Sequence, residues 1–242
     1  MSLMRTTPVG VPRVRVRAWH ADHRVAHLTP AGDTRGPITP EEVQRCLDSA
    51  RRWGYVAAVT AALGRADQVP FVDAGFAPAE LLHLLTHPLD PIPDAPSIPG
   101  THLRRGRRRD LDDVLAVDDS AFSGIWRLDR TGIDEALTAT PAAHMRLACD
   151  GGGTLGYAIS GRSGQRGYVQ RLAVHPRVQG RGIGAALLID GLRWLRRWGA
   201  RDALVNTQEG NDRSLRLYQR TGFVLQPGRL AVLRIDLLSG AP

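Results

Sequence analysis

The sequence predicts an α/β fold of the α+β kind: a mixed, mostly antiparallel central sheet flanked by helices, with a truncated α/β segment ahead of it. Three observations carry this. A strand meander from His144 to Val174 has glycine-rich turns where hairpins need them. A corner, VHPRVQGRGIGAALL over Val174 to Leu188, turns from the last meander strand straight into a helix. RRWG occurs twice, at Arg51–Gly54 and Arg196–Gly199, and each copy is followed by a β-rich run that ends in Gly-Phe.

Residues 1–12 read as a flexible tail. In the segment 13–87, VRVRAW is a strand and TPEEVQRCLDSARRWG a helix, with Thr39 as N-cap and Pro40 in its first turn. Glu41 and Glu42 favour the positive end of that helix. YVAAVTAA is the next strand, DQVPFVDA a degraded helix, and GF with ELLHLLTH the ending. The stretch from His87 to Gly100 holds five prolines, which deny it regular structure, so 88–100 is expected to be a stiff, extended linker.

The segment 101–238 opens with the strand THLRR and an amphipathic helix from Asp110 to Phe122, capped at Asp110. Loop and helix follow in SGIWRLDRTGIDEALTAT, then the strands HMRLACD, TLGYAIS and GYVQRLAV, with turns at Gly151–Gly153 and GRSGQR. The helix after the corner runs from Ile183 to Trp198, with Leu187, Leu188, Leu192 and Leu195 on one face. DALVNTQ is a strand, NDRSLRLYQRT a helix, and GFVLQ with LAVLRIDL a closing hairpin.

An apolar content of 43% supports a packed core. The 32 basic residues are all arginine and outweigh 24 acidic ones, giving +8, which favours anionic partners, phosphorylated cofactors included. The run Arg104–Arg109 reads as a strand end and solvated loop, and the lack of aromatic stacking residues nearby argues against nucleic acid. Cys46 and Cys149 have neither metal spacing nor a disulfide framework, so they read as thiols in a reducing cytoplasm. The first residues carry no apolar signal region and no apolar run approaches a membrane span.

The corner carries the chemistry. Gln179-Gly180-Arg181-Gly182-Ile183-Gly184 lets consecutive N–H groups point into one concavity, and the helix N-terminus adds unsatisfied donors and positive potential. Such a turn holds a pyrophosphate without a lysine. A Walker loop is excluded because no Gly-Lys-Ser/Thr follows. A dinucleotide fingerprint fits poorly, since the spacing is QxxGxG and the preceding strand belongs to an antiparallel meander.

The strand motif LAVHP, the QGRGIG corner and the pattern Asn211…Leu217-Tyr218…Gly222-Phe223 together resemble the acetyl-CoA site of the GNAT superfamily of N-acetyltransferases, over about 101–238. The resemblance implies acetyl-CoA as cofactor and acetyl transfer to a primary amine by direct attack in a ternary complex. It implies that Gln179, Gly180, Arg181, Gly182, Ile183, Gly184 and Ala185 surround the pyrophosphate. The backbone of Leu172, Ala173 and Val174 would pair with the pantetheine arm, and the Val174 N–H would polarise the thioester carbonyl. Asn206, Asn211 and Ser214 would lie along the arm, and Tyr218 would protonate the departing thiolate. A phenol of ordinary pKa makes that transfer uphill by only ~2 kcal/mol.

One departure stands out: many family members carry Glu two residues before the LAV run, and here it is Gln170, whose amide cannot accept the amine proton. A water chain, Asp129 or Glu209 remain as sources of a base. Phe122, Trp126 and Asp129 would wall the site of a small-molecule or peptide amine. A catalytically weak acyl-CoA sensor or interaction module is the alternative, separated from the enzyme by turnover.

Aligning the two tails puts Phe71 on Tyr218 and the acidic ITPEE on the glycine corner. The segment 13–87 is therefore expected to be a degenerate, non-catalytic half-domain of the same family, in which tandem arrangements are known. Three roles stay open for it: covering the acceptor cleft, extending the sheet, or forming a homodimer contact.

Overall fold

The computed structural model describes residues 13–20, 22–30 and 37–238, so the tail expected at 1–12 lies outside the described residues. In chain order come β1 (Val14–Ala18), β2 (Val25–Pro30), α1 (Pro40–Arg52), β3 (Ala57–Thr60), α2 (Arg65–Asp73) and β4 (Ala77–His87). Next are β5 (His102–Arg105), α3 (Leu111–Ala121), α4 (Arg130–Thr138), β6 (Ala142–Asp150), β7 (Gly153–Ser163) and β8 (Arg166–Val174). The last four are α5 (Ile183–Arg197), β9 (Asp202–Gln208), α6 (Asp212–Arg220) and β10 (Val224–Asp236). The chain divides into two compact units, residues up to 83 with those from 227 onward, and residues 84–226.

In the first unit β1 pairs antiparallel with β2, β2 parallel with β3, and β3 antiparallel with Arg234–Asp236 of β10. Helix α1 starts on a capping box: Thr39 Oγ1 accepts from Glu42 N at 3.3 Å, and Glu42 Oε2 accepts from Thr39 N at 3.0 Å. Its Val43, Leu47 and Ala50 bury against Leu28, Phe71, Phe76 and Leu233. Strand β2 was not among the expected elements; HRVAHLTP mixes buried and half-buried residues without clean alternation, so the period-2 signal is weak.

The second unit has β5, β6, β7 and β8 in an antiparallel run, with β9 parallel to β8 and followed by β4. Leu111, Val114 and Val117 of α3 and Ile133 of α4 pack with Met145, Leu147, Tyr157 and Ile159 on one face. Leu188, Leu192 and Leu195 of α5 and Tyr218 of α6 pack with Leu85, Val205 and Phe223 on the other.

The repeated tetrapeptide has a physical reason. The N–H of Ala200 reaches back to Leu195 O at 3.0 Å past Gly199 (φ +84), and Tyr55 N–H reaches Ala50 O at 3.1 Å past Gly54 (φ +81). Each RRWG is thus a helix stop closed by a six-residue loop, with glycine at the left-handed position. The Gly-Phe endings do the same: Phe223 N–H bonds Tyr218 O and Phe76 N–H bonds Phe71 O, both at 3.0 Å.

Several expectations are corrected. The expected closing hairpin is instead one continuous strand, Val224–Asp236, with Pro227-Gly228 inside it. Asp110 precedes α3 but does not cap it; its carboxylate is taken by Arg104 at 2.8 and 2.9 Å and by Arg107 N at 2.7 Å. The GRSGQR turn narrows to Gly164-Gln165, since Ser163 already pairs with Arg166. The proline-rich stretch is extended as expected, but 88–100 falls inside the second unit and lies along α5. Asp90 pairs with Arg196 at 3.6 Å, Asp94 with Arg193 at 3.0 Å, and Pro96 reaches Gly182 at the start of the helix.

Candidate active site

The site is built around the C-terminal end of β8. Strands β8 and β9 pair only from Arg166↔Asp202 to Tyr168↔Leu204 and part company after that. The cause is a bulge: the β7 register jumps from Ile159↔Arg171 to Ser160↔Val169, leaving Gln170 as the extra residue. Beyond it, His175 N–H donates to Leu155 O at 2.8 Å, so by antiparallel alternation Ala173 and Arg171 bond to β7. The N–H and C=O groups of Leu172 and Val174 therefore point to the opposite edge, into the opening beside β9. Ala173, buried at 3% exposure, turns its backbone to β7 instead.

Above this edge the chain makes the corner. Gly180 (φ +84) and Gly182 (φ +88) both sit in the left-handed region, where an L side chain is strained. A Cβ at Gly180 would meet nothing within 4 Å, so the loop is open on that side. Gly182 leads α5 with no side chain bonded to the first amides, leaving the N–H groups of Ile183, Gly184 and Ala185 to outside acceptors. Gln179 does not reach outward: its Nε2 donates to Val174 O at 2.9 Å, and Arg213 donates to its Oε1. That bridge anchors the loop to the strand end and to α6. Arg181 lines a 340 Å³ cavity with Ser97, Thr101, Asp150 and Ile183.

Tyr218, 6% exposed, belongs to the cluster that holds Leu172 of β8 and Val205 of β9, with Phe223 at 5.6 Å between ring centres. Among the described residues no protein group hydrogen-bonds its hydroxyl. Burial pushes the phenol up to about 12, opposed by the charge of Arg171. Asn206 is exposed on β9, whereas Asn211 caps α6, its Oδ1 accepting from Ser214 N at 3.1 Å. Gln170 donates to Thr140 Oγ1 at 3.3 Å, and among the described residues its buried Oε1 has no partner. Asp129 caps α4 through Gly132 N at 2.8 Å, which leaves it less free to anchor an amine. Glu209 is half-buried in the turn after β9.

Sequence reasoning missed a buried network on the α3 face. Asp118, fully buried, accepts from Arg171 Nε and Nη2 at 2.8 Å each, from Tyr157 OH at 2.5 Å and from Leu128 N at 2.9 Å. Arg171 Nη2 also donates to Trp126 O at 2.6 Å, and the guanidinium lies 3.6 Å from the Phe122 ring centre. The signal was present: on a strand whose Leu172 and Val174 face one way, Arg171 faces the other. Among the described residues no cluster of His, Cys, Asp and Glu could hold a metal, and no helix is long and apolar enough to cross a membrane.

Residues 111–223 match the model of the Acetyltransferase (GNAT) family. The chain is 34% identical over 172 residues to a mycothiol acetyltransferase of Salinispora arenicola, covering 63% of this chain and 54% of that protein. It is 33% identical over 151 residues to one from Actinosynnema mirum, covering 59% and 51%. The chain thus spans about half the length of these curated relatives. Among solved structures, a tandem GNAT protein from the clavulanic acid biosynthesis pathway superposes with a TM-score of 0.67 at 13% identity, covering 95% of this chain and 79% of that one. A GCN5-related N-acetyltransferase from Kribbella flavida gives 0.61 at 19%, covering 94% and 88%. At those identities the likeness speaks for the fold.

Proposed function

We propose, from the match of residues 111–223 to the model of the Acetyltransferase (GNAT) family, that this protein moves an acetyl group from acetyl-CoA to the primary amine of a small molecule or peptide. The observation that carries the reading is the opened β8 edge beneath an uncapped helix N-terminus. Leu172 offers its N–H and C=O and Val174 its N–H to an extended arm, and the amides of Gly180–Ala185 offer donors to a diphosphate at its end. These residues fit acetyl-CoA, which supplies an activated acetyl thioester. Val174 N–H, turned into the opening, would hydrogen-bond the carbonyl oxygen as negative charge develops there. Tyr218, its hydroxyl uncommitted, would hand its proton to the leaving sulfur.

Gln170 takes no proton, so the amine would arrive neutral or lose its proton to water or to Glu209. The first unit, with Phe71 in the place of Tyr218 and Glu41 and Glu42 where the corner would stand, is read as non-catalytic. The reading places the protein in the cytoplasm. Relatives named mycothiol acetyltransferases make a small amine the first acceptor class to try.

The test is calorimetric titration with acetyl-CoA, then CoA release across a panel of amino sugars, amino-acid esters and peptides. A ligand at a hundred times its Kd adds about 2.7 kcal/mol of stability, so melting should rise clearly. No binding at millimolar acetyl-CoA sinks the proposal. Binding without turnover on any amine favours the second reading, an acyl-CoA sensor, which the missing carboxylate at position 170 supports.

A further inference from the structure

The loop between α3 and α4, Phe122 to Asp129, carries the apolar groups expected to wall the acceptor. It has no strand or helix of its own apart from one short 3-10 turn, Gly124–Trp126. Phe122 and Leu128 pack on the core beside Tyr157 and Ala173, and among the described residues the loop's polar hold on the sheet runs through one side chain. Arg171 projects from β8 immediately after the bulge and meets the loop at the Phe122 ring and the Trp126 carbonyl. It also grips Asp118, which in turn holds Leu128 N, so both ends of the loop connect to the same ion pair. The pair is well sequestered, with side-chain exposures of 11% and 0%. By contrast the loop's other ion pair, Arg127 with Asp119, is solvent-exposed at 52% and 65% and contributes little.

A buried carboxylate with four hydrogen bonds and a forked guanidinium is a costly arrangement if stability alone is needed, because apolar residues of similar volume often serve as well. What it provides is direction: the planar fork fixes where the loop sits relative to the strand edge. We infer that Arg171 is the positioning residue of the acceptor side, locking Phe122, Trp126 and Leu128 against β8 so that an amine is held in line with the Val174 edge. The inference rests on the transferase reading and deepens it. Lysine cannot replace the fork, since a single ammonium cannot bond Asp118 bidentately, reach Trp126 O and stack on Phe122 together.

The experiment compares the full chain with Arg171→Lys and with the double variant Arg171→Met/Asp118→Asn, which leaves no unpaired buried charge. The probes are acetyl-CoA, by calorimetry, and the amine that releases CoA fastest from the panel, by steady-state kinetics. In both variants, checked for a cooperative melt, the KM for the amine should rise at least tenfold and kcat fall, while the Kd for acetyl-CoA stays within twofold. Hydrogen exchange at the Leu128 amide should speed up in parallel. An amine KM unchanged in a folded variant, or full recovery of that KM with lysine, overturns the inference while leaving the transferase reading intact. Equal losses in acetyl-CoA affinity and amine KM also overturn it, because they mark a general loosening. If acetyl-CoA binds and no amine in the panel is acetylated by the unmodified chain, the transferase reading falls and this inference with it.

Discussion

Replacing Tyr218 with phenylalanine isolates one hydroxyl from a well-packed ring. Burial among Leu188, Leu192 and Phe223 raises the phenol to about 12. Against a thiol near 8.5, proton transfer is then uphill by ~3.5 pK units, or about 5 kcal/mol, rather than the ~2 kcal/mol of an unperturbed phenol. The donation can therefore proceed only as the carbon–sulfur bond breaks. Losing it should slow turnover by about 100-fold, within the usual range for general acids. The ring remains and no protein partner of the hydroxyl is orphaned, so stability should shift by less than about 0.5 kcal/mol. The Kd for acetyl-CoA should stay within about twofold, because the arm is held by β8 and the corner.

The pH dependence adds a second check. A phenol at about 12 stays protonated through the working range, so kcat should show no fall near pH 10. Stability has its own sign. The folded-state value lies above the unfolded one, so the contribution is whole below about pH 10 and is lost as pH rises toward 12. Thiol release assayed from pH 7 to 10.5, with calorimetry for acetyl-CoA, measures all of this. Unchanged turnover in Tyr218→Phe, or a wild-type decline centred at pH 10, would refute the reasoning.

Other outcomes follow from the packing. His27, half-buried against Trp19, is pushed down to about 3, chiefly by desolvation. Its stability contribution is full above about pH 6.5 and disappears toward pH 3, so His27→Phe should flatten the acid side of a melting-temperature curve. Gly156→Ala would place a Cβ 2.8 Å from Ala173 O, a backbone atom that cannot swing away, and should lower stability by about 1–3 kcal/mol in urea titration. Asn211→Ala removes the α6 cap and should cost about 1 kcal/mol; an unchanged urea midpoint would show the cap to be idle.

Much of the architecture was legible because its signals are local. The Thr39 N-cap of α1, the glycine corner and the meander turns each depend on residues within a few positions of one another. The helix stops were visible as a repeat before their hydrogen bonds explained it. What escaped depends on contacts distant in sequence. Asp118 and Arg171 lie 53 residues apart, so only the fold makes them partners. The same holds for β10, whose Pro227-Gly228 looks like a hairpin turn locally, yet whose two ends belong to different compact units. Asn211 and Gln179 were found as positions, but their side chains proved to brace the site.

The strap from Asp90 to Pro96 is fastened to α5 by two ion pairs whose acidic members are almost wholly in water, at 87% and 105% exposure. Such clips weaken as salt rises, because counter-ions screen them. Leu89 and Ile92, packed with Leu188 and Leu192, carry the rest of the hold, so raising ionic strength should loosen Pro96 over Gly182 only slightly and leave a phosphorylated guest's access to the amides at that bend nearly unchanged.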